Sequence, residues 1–329
     1  MMLWLHLQSQ PGLLLAILIL LGMILGSFAS AAIWRIPQEG ISLLRPKRSF
    51  CPLCETQLAW FENIPILSWL FSLGRCRHCK ESYGFQYLGC ELSLAVLIGL
   101  TSLTWAAQAH SPFPLLFMVV TITALFIAAA IDWQHFILPD GITLGGIPFG
   151  ILVAWLAPSF QVWDLPQHTP WGAALLGFSE KDALLTLSIA SSCVSALLSF
   201  VFLFGIRQVF SYLLRQEALG LGDVKLLTAT GALLGLEATL WAFLIAVFLG
   251  SVLGLMRISA LICFLAFRHQ RRGGAYSVAK AISRGYRIGR VIPFGPPLVM
   301  GILIFLMAPA QVHSFFTEDW PGLLSQLLS

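Results

Sequence analysis

Long apolar segments dominate this chain and limit what it can fold into. Of its 329 residues, 58% are hydrophobic and only 10% are charged, whereas a soluble domain carries about 25% charged residues. This composition excludes a soluble globule, which needs charge to cover its surface, and a disordered chain, which is poor in apolar residues. No segment sustains the alternation of a β-barrel strand. We therefore predict an all-α polytopic membrane protein.

The apolar runs predict how many times the chain crosses the bilayer. A spanning helix needs roughly 20 mostly apolar residues. The sixth run is short and rich in glycine, so it favours a partial or tilted span. About eight transmembrane helices are predicted, near residues 12–33, 88–108, 112–132, 141–158, 183–206, 224–237, 238–262 and 291–310.

Basic residues orient these spans. Residues 1–10 contain no Lys or Arg, unlike a removable signal peptide, and basic residues follow the first span. Because basic loops stay in the cytoplasm, the loop after this span is predicted to be cytoplasmic and both termini to lie outside. Lys181 is the one basic residue on a predicted outer loop, and a basic cluster in 268–290 falls inside. The predicted parts are a first helix (1–33), a cytoplasmic cysteine domain (34–87), a membrane domain (88–310) and an outer tail (311–329).

Four cysteines in the cytoplasmic loop have the spacing of a zinc site. Cys51 and Cys54 form one C-x-x-C pair, and Cys76 and Cys79 form a second pair after 21 intervening residues. Each pair places two thiolates on one tight turn, and two pairs complete a tetrahedron around a structural metal. The alternatives are disulfide pairing, which a reducing cytoplasm disfavours, and His78 as a substitute ligand. The basic neighbours expected to help ionise the thiols are Arg75, Arg77 and Lys80.

Two aspartates at the ends of predicted spans are candidate catalytic residues. Asp132 ends the third span, and Asp223 begins the sixth, just after Gly220 and Gly222. The predicted topology places both aspartates at the cytoplasmic face, so they can meet although 91 positions separate them. The glycines allow close backbone approach and a positive φ. Two facing carboxyls share a proton, so that one can act on a water as base and the other as acid.

The same residues also fit roles outside catalysis. Either aspartate alone could cap a helix or anchor it at the interface, and buried acids also serve proton or ion transporters. A non-catalytic zinc-binding scaffold would not need both aspartates. Lys225 could stabilise the charge of the pair, orient its loop or extend to the interface. The basic cluster in 268–290 could bind nucleic acid, although contact with anionic lipid accounts for it more simply.

Six short motifs occur in order along most of the chain. They are Gly-Ser-Phe at 26–28, Arg-Ser-Phe-Cys-Pro-Leu-Cys at 48–54, Asn-Ile-Pro-Ile at 63–66, Asp132 with Leu-Pro-Asp at 138–140, Gly-Leu-Gly-Asp-Val-Lys at 220–225, and Ile-Pro-Phe-Gly-Pro-Pro at 292–297. Because these motifs occur in this order, the chain resembles the type IV prepilin peptidases, which are membrane aspartic peptidases of type IV pilus and type II secretion systems.

The resemblance implies an activity and a catalytic pair. Members of this family cleave the basic leader from prepilins or pseudopilins after a Gly, and then methylate the new N-terminal amine with S-adenosylmethionine. The family's catalytic aspartates correspond to Asp132 and Asp223. The supporting residues in the same motifs are Asp140, Lys225, Gly220 and Gly222.

The resemblance also implies a location and partners. It places the protein in the bacterial inner membrane with periplasmic termini, in contact with secretion or pilus assembly machinery and without nucleic acid. The 34–87 domain corresponds to the cysteine domain of methylating members, and 88–310 corresponds to the peptidase. The chain has no glycine-rich nucleotide fingerprint, so a peptidase without methyltransferase activity is the alternative. Glu91, in the second span, could belong to a methylation site or anchor a helix end.

Overall fold

Helices form almost all of the regular structure. The computed structural model describes residues 2–38, 40, 42–43, 49–51, 53–82, 84–104, 112–158, 170–179, 182–217, 219–270 and 293–328. Within these ranges the chain has no strand, and isolated β-bridges join Phe50 to Gln57 and Arg75 to Ser82 in the cysteine loop. The predicted all-α class is therefore confirmed for this part of the chain. Lys181 and most of the basic cluster in 268–290 lie outside the described residues.

The helices follow one another along the chain with short connections. They are α1 (Met2–Gln8), α2 (Pro11–Arg35), α3 (Leu67–Ser72), α4 (Gln86–Thr104), α5 (Phe113–His135), α6 (Asp140–Leu156), α7 (Trp171–Ala174), α8 (Leu184–Leu214), α9 (Leu221–Leu234), α10 (Leu236–Gln270), α11 (Gly295–Met307), α12 (Pro309–Ser314) and α13 (Trp320–Leu328). A 3-10 turn at Trp60–Asn63 precedes α3, and a π-helical turn at Phe315–Asp319 joins α12 to α13.

Each predicted span contains an apolar helix, but the helices differ in length and not all are long enough to cross a bilayer. Among the described residues, α2, α5, α8 and α10 are long and apolar enough to cross a membrane, and a bent helix pair beginning with α11 makes up to five spans. The shorter α9 has 14 residues, and at about 1.5 Å per residue it is shorter than the hydrocarbon core of about 30 Å. The structure thus supports an integral membrane protein, and the full count of eight spans remains a prediction.

The short α9 is enclosed by other helices. It packs against α6, α8 and α10, and 11 of its 14 residues are buried. A helix surrounded by protein does not have to match the thickness of the bilayer, because its ends meet neighbouring helices instead of lipid. This packing explains how a helix of only four turns fits into a membrane protein, and it fixes the position of the aspartate in its first turn.

Two turns bring the ends of the central helices to one side of the bundle. Helix α5 ends where Phe136 adopts a left-handed conformation with φ 57°, and the N–H of Phe136 donates to the Asp132 carbonyl at 2.9 Å. Pro139 then precedes the first residue of α6, Asp140. Helix α11 begins at Gly295 and packs against α5 and α10. The C-terminus of α5 and the N-termini of α6 and α11 therefore lie close together.

Candidate active site

Asp132 is held at the C-terminal end of α5 by a backbone donor from another helix. Its side chain is buried, with only 6% of the residue exposed. The Oδ2 atom accepts a hydrogen bond from the Gly295 N–H at 2.9 Å. The first N–H groups of a helix have no intrahelical acceptor, so the first residue of α11 is free to donate to this carboxylate.

Gly295 is the site residue to which the sequence assigned no role. A Cβ at this position would lie 2.5 Å from Asp132 Oδ2, so a side chain would displace the carboxylate. The only signal in the sequence was the Ile-Pro-Phe-Gly-Pro-Pro motif at 292–297. Spacing alone could not connect this glycine to Asp132, which is 163 positions away.

Asp223 is held in a similar way at the start of α9. Its carboxyl, in the first helical turn, accepts a hydrogen bond from the Gly220 backbone, and the residue is only 7% exposed. A Cβ at Gly220 would lie 2.9 Å from Asp223 Oδ2, and one at Gly222 would lie 3.0 Å from the Leu138 Cβ. The predicted close approach is confirmed. Gly220 has φ −63°, so the freedom of glycine to adopt a positive φ is not used here, and the missing Cβ leaves space for the carboxylate.

The structure brings the two aspartates together. Asp132 and Asp223 are close enough for their carboxyl groups to interact electrostatically. They come from α5 and α9, which both pack against α6 and α11. Each carboxyl is fixed by one glycine backbone N–H at a position where a Cβ would crowd the carboxylate. Two neighbouring buried carboxyls are the groups that an acid–base mechanism with one activated water requires.

Asp140 and Lys225 form an ion pair at the edge of this site. Lys225 Nζ donates to Asp140 Oδ1 at 2.7 Å, and the side chains are 22% and 64% exposed. The pair joins the first residue of α6 to the second turn of α9. Because an exposed pair contributes at most about 1 kcal/mol, we interpret it as a positioning contact between two motifs. Of the three roles considered for Lys225, this contact favours orientation of the loop.

The four predicted cysteines form one compact cluster. The Sγ atoms of Cys51, Cys54, Cys76 and Cys79 all lie within 4.8 Å of one another. The Cys51–Cys79 and Cys54–Cys76 Sγ distances are both 3.9 Å. A tetrahedral zinc ion with Zn–S bonds of about 2.3 Å requires thiolates about 3.8 Å apart, so the cluster fits zinc. None of the four forms a disulfide.

The two C-x-x-C pairs are closed by equivalent hydrogen bonds. The N–H of Cys51 donates to the Thr56 carbonyl at 3.0 Å, and the N–H of Cys76 donates to the Glu81 carbonyl at 2.8 Å. A positive φ follows each pair, at Glu55 and at Lys80. The two pairs are therefore followed by matching turns, which cysteine spacing alone did not reveal.

The thiols differ in how easily they lose a proton. Hydrogen bonds from the Thr56 side chain and backbone lower the pKa of Cys54 to about 6. A backbone hydrogen bond from Glu81 acts to lower the pKa of Cys79, but desolvation and the neighbouring thiols raise it to about 11. Arg77 was expected to help ionise the thiols, but it lies 4.9 Å above the Phe61 ring and 3.6 Å from Glu62. Hydrogen bonds of the turn, more than nearby cations, prepare Cys54 as a ligand.

Comparison with known proteins identifies the family to which this integral membrane protein belongs. The fold and site define a helical membrane protein with two buried, interacting aspartates and a four-thiol cluster. The family described as "Type IV leader peptidase family" matches residues 119–255, which contain both aspartates, and "Bacterial Peptidase A24 N-terminal domain" matches 20–105, which contain the cysteine loop. The chain belongs to the type IV leader peptidase family, and the resemblance carried by its motifs is confirmed.

Curated relatives match over most of their length. The chain is 34% identical over 243 residues to the prepilin leader peptidase/N-methyltransferase of Klebsiella pneumoniae, which covers 72% of this chain and 92% of the relative. It is 31% identical over 305 residues to the prepilin leader peptidase/N-methyltransferase of Bacillus subtilis, which covers 93% and 98%. No solved structure matches the chain.

Proposed function

We propose that this protein is a membrane aspartic endopeptidase that removes the basic leader from type IV prepilins or pseudopilins and then methylates the exposed N-terminal amine. The observation that carries the proposal is the electrostatic interaction of two buried aspartates, Asp132 and Asp223, each of which accepts a glycine N–H. The names of the curated relatives, prepilin leader peptidase/N-methyltransferase, support both activities.

The geometry of the pair supports hydrolysis by one activated water. Asp132 Oδ2 accepts the Gly295 N–H, which leaves Oδ1 to take up a proton. In the proposed reaction one carboxylate removes a proton from water, and the resulting hydroxide attacks the scissile carbonyl carbon. The other carboxyl donates its proton to the carbonyl oxygen. When the tetrahedral intermediate collapses, its C–N bond breaks and the carboxyl that took the proton from water gives it to the leaving amine. The other carboxylate takes a proton back from a hydroxyl group of the intermediate, so the pair returns to its starting state.

An apolar cavity lined in part by the two helices that carry the aspartates suggests where the substrate helix lies. The cavity measures about 250 Å³ and is lined from α5, α6, α9 and α11. Its lining includes Leu125 on α5 and Leu226 on α9, which lie seven positions before Asp132 and three after Asp223. These spacings place the lining residues on the same helix faces as the aspartates. We propose that the apolar segment following the scissile bond occupies this cavity.

The proposed topology brings the leader to the same side. With eight spans and periplasmic termini in a bacterial inner membrane, the cysteine domain (34–87) faces the cytoplasm, and the peptidase domain (88–310) presents both aspartates there. A basic leader stays in the cytoplasm while the apolar helix of its pilin sits in the bilayer. The scissile bond then lies at the cytoplasmic interface. Secretion or pilus assembly machinery is the proposed further partner, with no role for nucleic acid.

Zinc and S-adenosylmethionine are the proposed cofactors. Cys51, Cys54, Cys76 and Cys79 would hold one zinc ion, and four protein ligands leave it no open position, so its role is structural. S-adenosylmethionine would supply the methyl group. A peptidase without methyltransferase activity is the alternative, and a single experiment on the product separates the two.

The test is to co-express the protein with a prepilin and to determine the mass of the mature pilin. We expect cleavage after a Gly, with one methyl group on the new N-terminal amine. A cleaved but unmethylated pilin would support the peptidase-only alternative. An intact prepilin beside correctly folded protein would contradict the proposed function.

A further inference from the structure

A second cavity lies between the cysteine loop and the membrane helices. It measures about 350 Å³, within the size range of small-molecule sites. Its lining comes from the C-terminal half of α2, from the cysteine loop and from the first turns of α4. Neither Asp132 nor Asp223 lines it. The peptidase chemistry does not use this cavity.

The walls of this cavity are largely aromatic. Trp34 and Phe50 meet edge to face, with ring centroids 5.6 Å apart, and Phe61 and Trp69 also line the space. Flat rings of this kind stack on a purine, and their faces attract cations. The walls therefore suit a ligand that combines an aromatic base with a positive charge.

A buried carboxyl group is available to a cationic ligand. Glu91 lines the cavity and is only 6% exposed. Its Oε2 atom accepts the Ile66 N–H at 2.7 Å, and the Ser27 side chain also hydrogen-bonds to the carboxyl. Both of these partners are neutral. A buried carboxylate whose hydrogen-bond donors are neutral interacts favourably with an added positive charge.

The rest of the lining includes a cationic side chain, which suits a ligand that carries a negative as well as a positive charge. Arg77 lines the cavity with its side chain 52% exposed. Its Nε atom lies 3.6 Å from Glu62, which also lines the cavity, and its terminal N–H groups can donate to an anionic group of a ligand. Cys51 lines it as well, so the cysteine cluster forms part of one wall.

We propose that this cavity is the methyl-donor site, which binds S-adenosylmethionine with its sulfonium centre toward Glu91, its adenine among Trp34 and the neighbouring aromatic rings, and its carboxylate toward Arg77. The proposal rests on the proposed methyl transfer and adds the location of the site. Glu91 belongs to this site as a binding residue, beyond any role as an anchor for α4.

The site can be located by photo-cross-linking. Purified full-length protein in detergent is irradiated with methyl-tritiated S-adenosylmethionine, with and without excess unlabelled compound, and the labelled peptides are mapped. We expect label in peptides that contain residues 27–35, 49–77 or 87–91, and we expect excess unlabelled compound to suppress it (competed label). Competed label confined to any other part of the chain overturns the location and leaves methyl transfer intact. Absence of competed label together with unmethylated pilin overturns both proposals.

Equilibrium dialysis of variants gives a second measure that does not depend on activity. Glu91→Gln, which removes the charge but keeps the shape, should weaken binding of the labelled donor by about tenfold or more, and Trp34→Ala should also weaken it. Glu237→Gln is the matched control, because Glu237 is equally buried at 6% exposed and does not line the cavity. Unchanged binding by both Glu91→Gln and Trp34→Ala contradicts the proposal, and thermal unfolding shows whether each variant is folded.

Discussion

At the scale of single residues, two glycines define the proposed active site as much as the two aspartates do. Gly295 and Gly220 each supply an N–H to one carboxyl and have no Cβ to crowd it. The sequence predicted the aspartates because ionisable groups in spans are costly and conspicuous. It did not predict the role of Gly295, since a backbone donor has no chemical signature in the side chain.

Replacing Gly295 by Ala tests this dependence. The new Cβ would stand 2.5 Å from Asp132 Oδ2, and a carboxylate displaced by about 1 Å commonly costs about 100-fold in rate. We expect the rate of prepilin cleavage to fall by about that factor while the protein remains folded. Gly12→Ala is the control, because Gly12 also lies in a first helical turn but a Cβ there meets nothing within 4 Å. Equal cleavage by both variants would show that Gly295 is dispensable.

At the scale of secondary-structure elements, the cysteine loop and the apolar cavity between α5, α6, α9 and α11 are two separate units. The loop has few helical residues and is organised by two equivalent turns around four thiols. The cavity lies among four helices, of which α5 carries Asp132 and α9 carries Asp223. Cysteine spacing predicted the first unit, because C-x-x-C geometry is local. The cavity was not predictable, because it depends on how four helices pack.

The cysteine cluster should bind one zinc ion per chain. Cys51→Ser and Cys76→Ser each remove a buried thiol, and we expect either change to abolish stoichiometric zinc in purified protein, as measured by elemental analysis. Cys193→Ser is the control, because Cys193 is exposed in α8 and outside the cluster. Full zinc content in both cluster variants, or metal-free wild-type protein with both activities, would refute a structural zinc site.

Filling the apolar cavity should block the substrate and spare the fold. Gly145 lines the cavity, and a Cβ added there meets nothing within 4 Å. Gly145→Leu should therefore leave the free energy of unfolding within about 1 kcal/mol of the wild type and raise the KM for prepilin severalfold. Gly205→Leu, on α8 and equally open, is the control. Unchanged steady-state kinetics for Gly145→Leu would place the substrate helix elsewhere.

At the scale of the whole molecule, the two cavities are lined by different helices, and α5 connects them. Helix α5 carries Asp132 and contacts both α2 and α4, which line the proposed donor site. A pilin cleaved beside α5 would thus remain near the site of methylation. The sequence predicted the helical membrane class because its apolar runs and scarce charges leave few alternatives. It located the apolar helices, and its count of eight spans stays a prediction. In the described part of the chain four helices, or five with the bent pair, are long and apolar enough to cross a membrane, and the short α9 is enclosed by protein.

The central claim is that Asp132 and Asp223 together cleave the leader. The most direct measurement is cleavage of a purified prepilin by Asp132→Asn and Asp223→Asn proteins, each nearly isosteric with the wild type, followed by mass spectrometry. We expect both variants to unfold at the wild-type temperature or above and to leave the leader intact, since neither amide can serve in the shared-proton pair. Wild-type rates of cleavage by either variant would contradict the account.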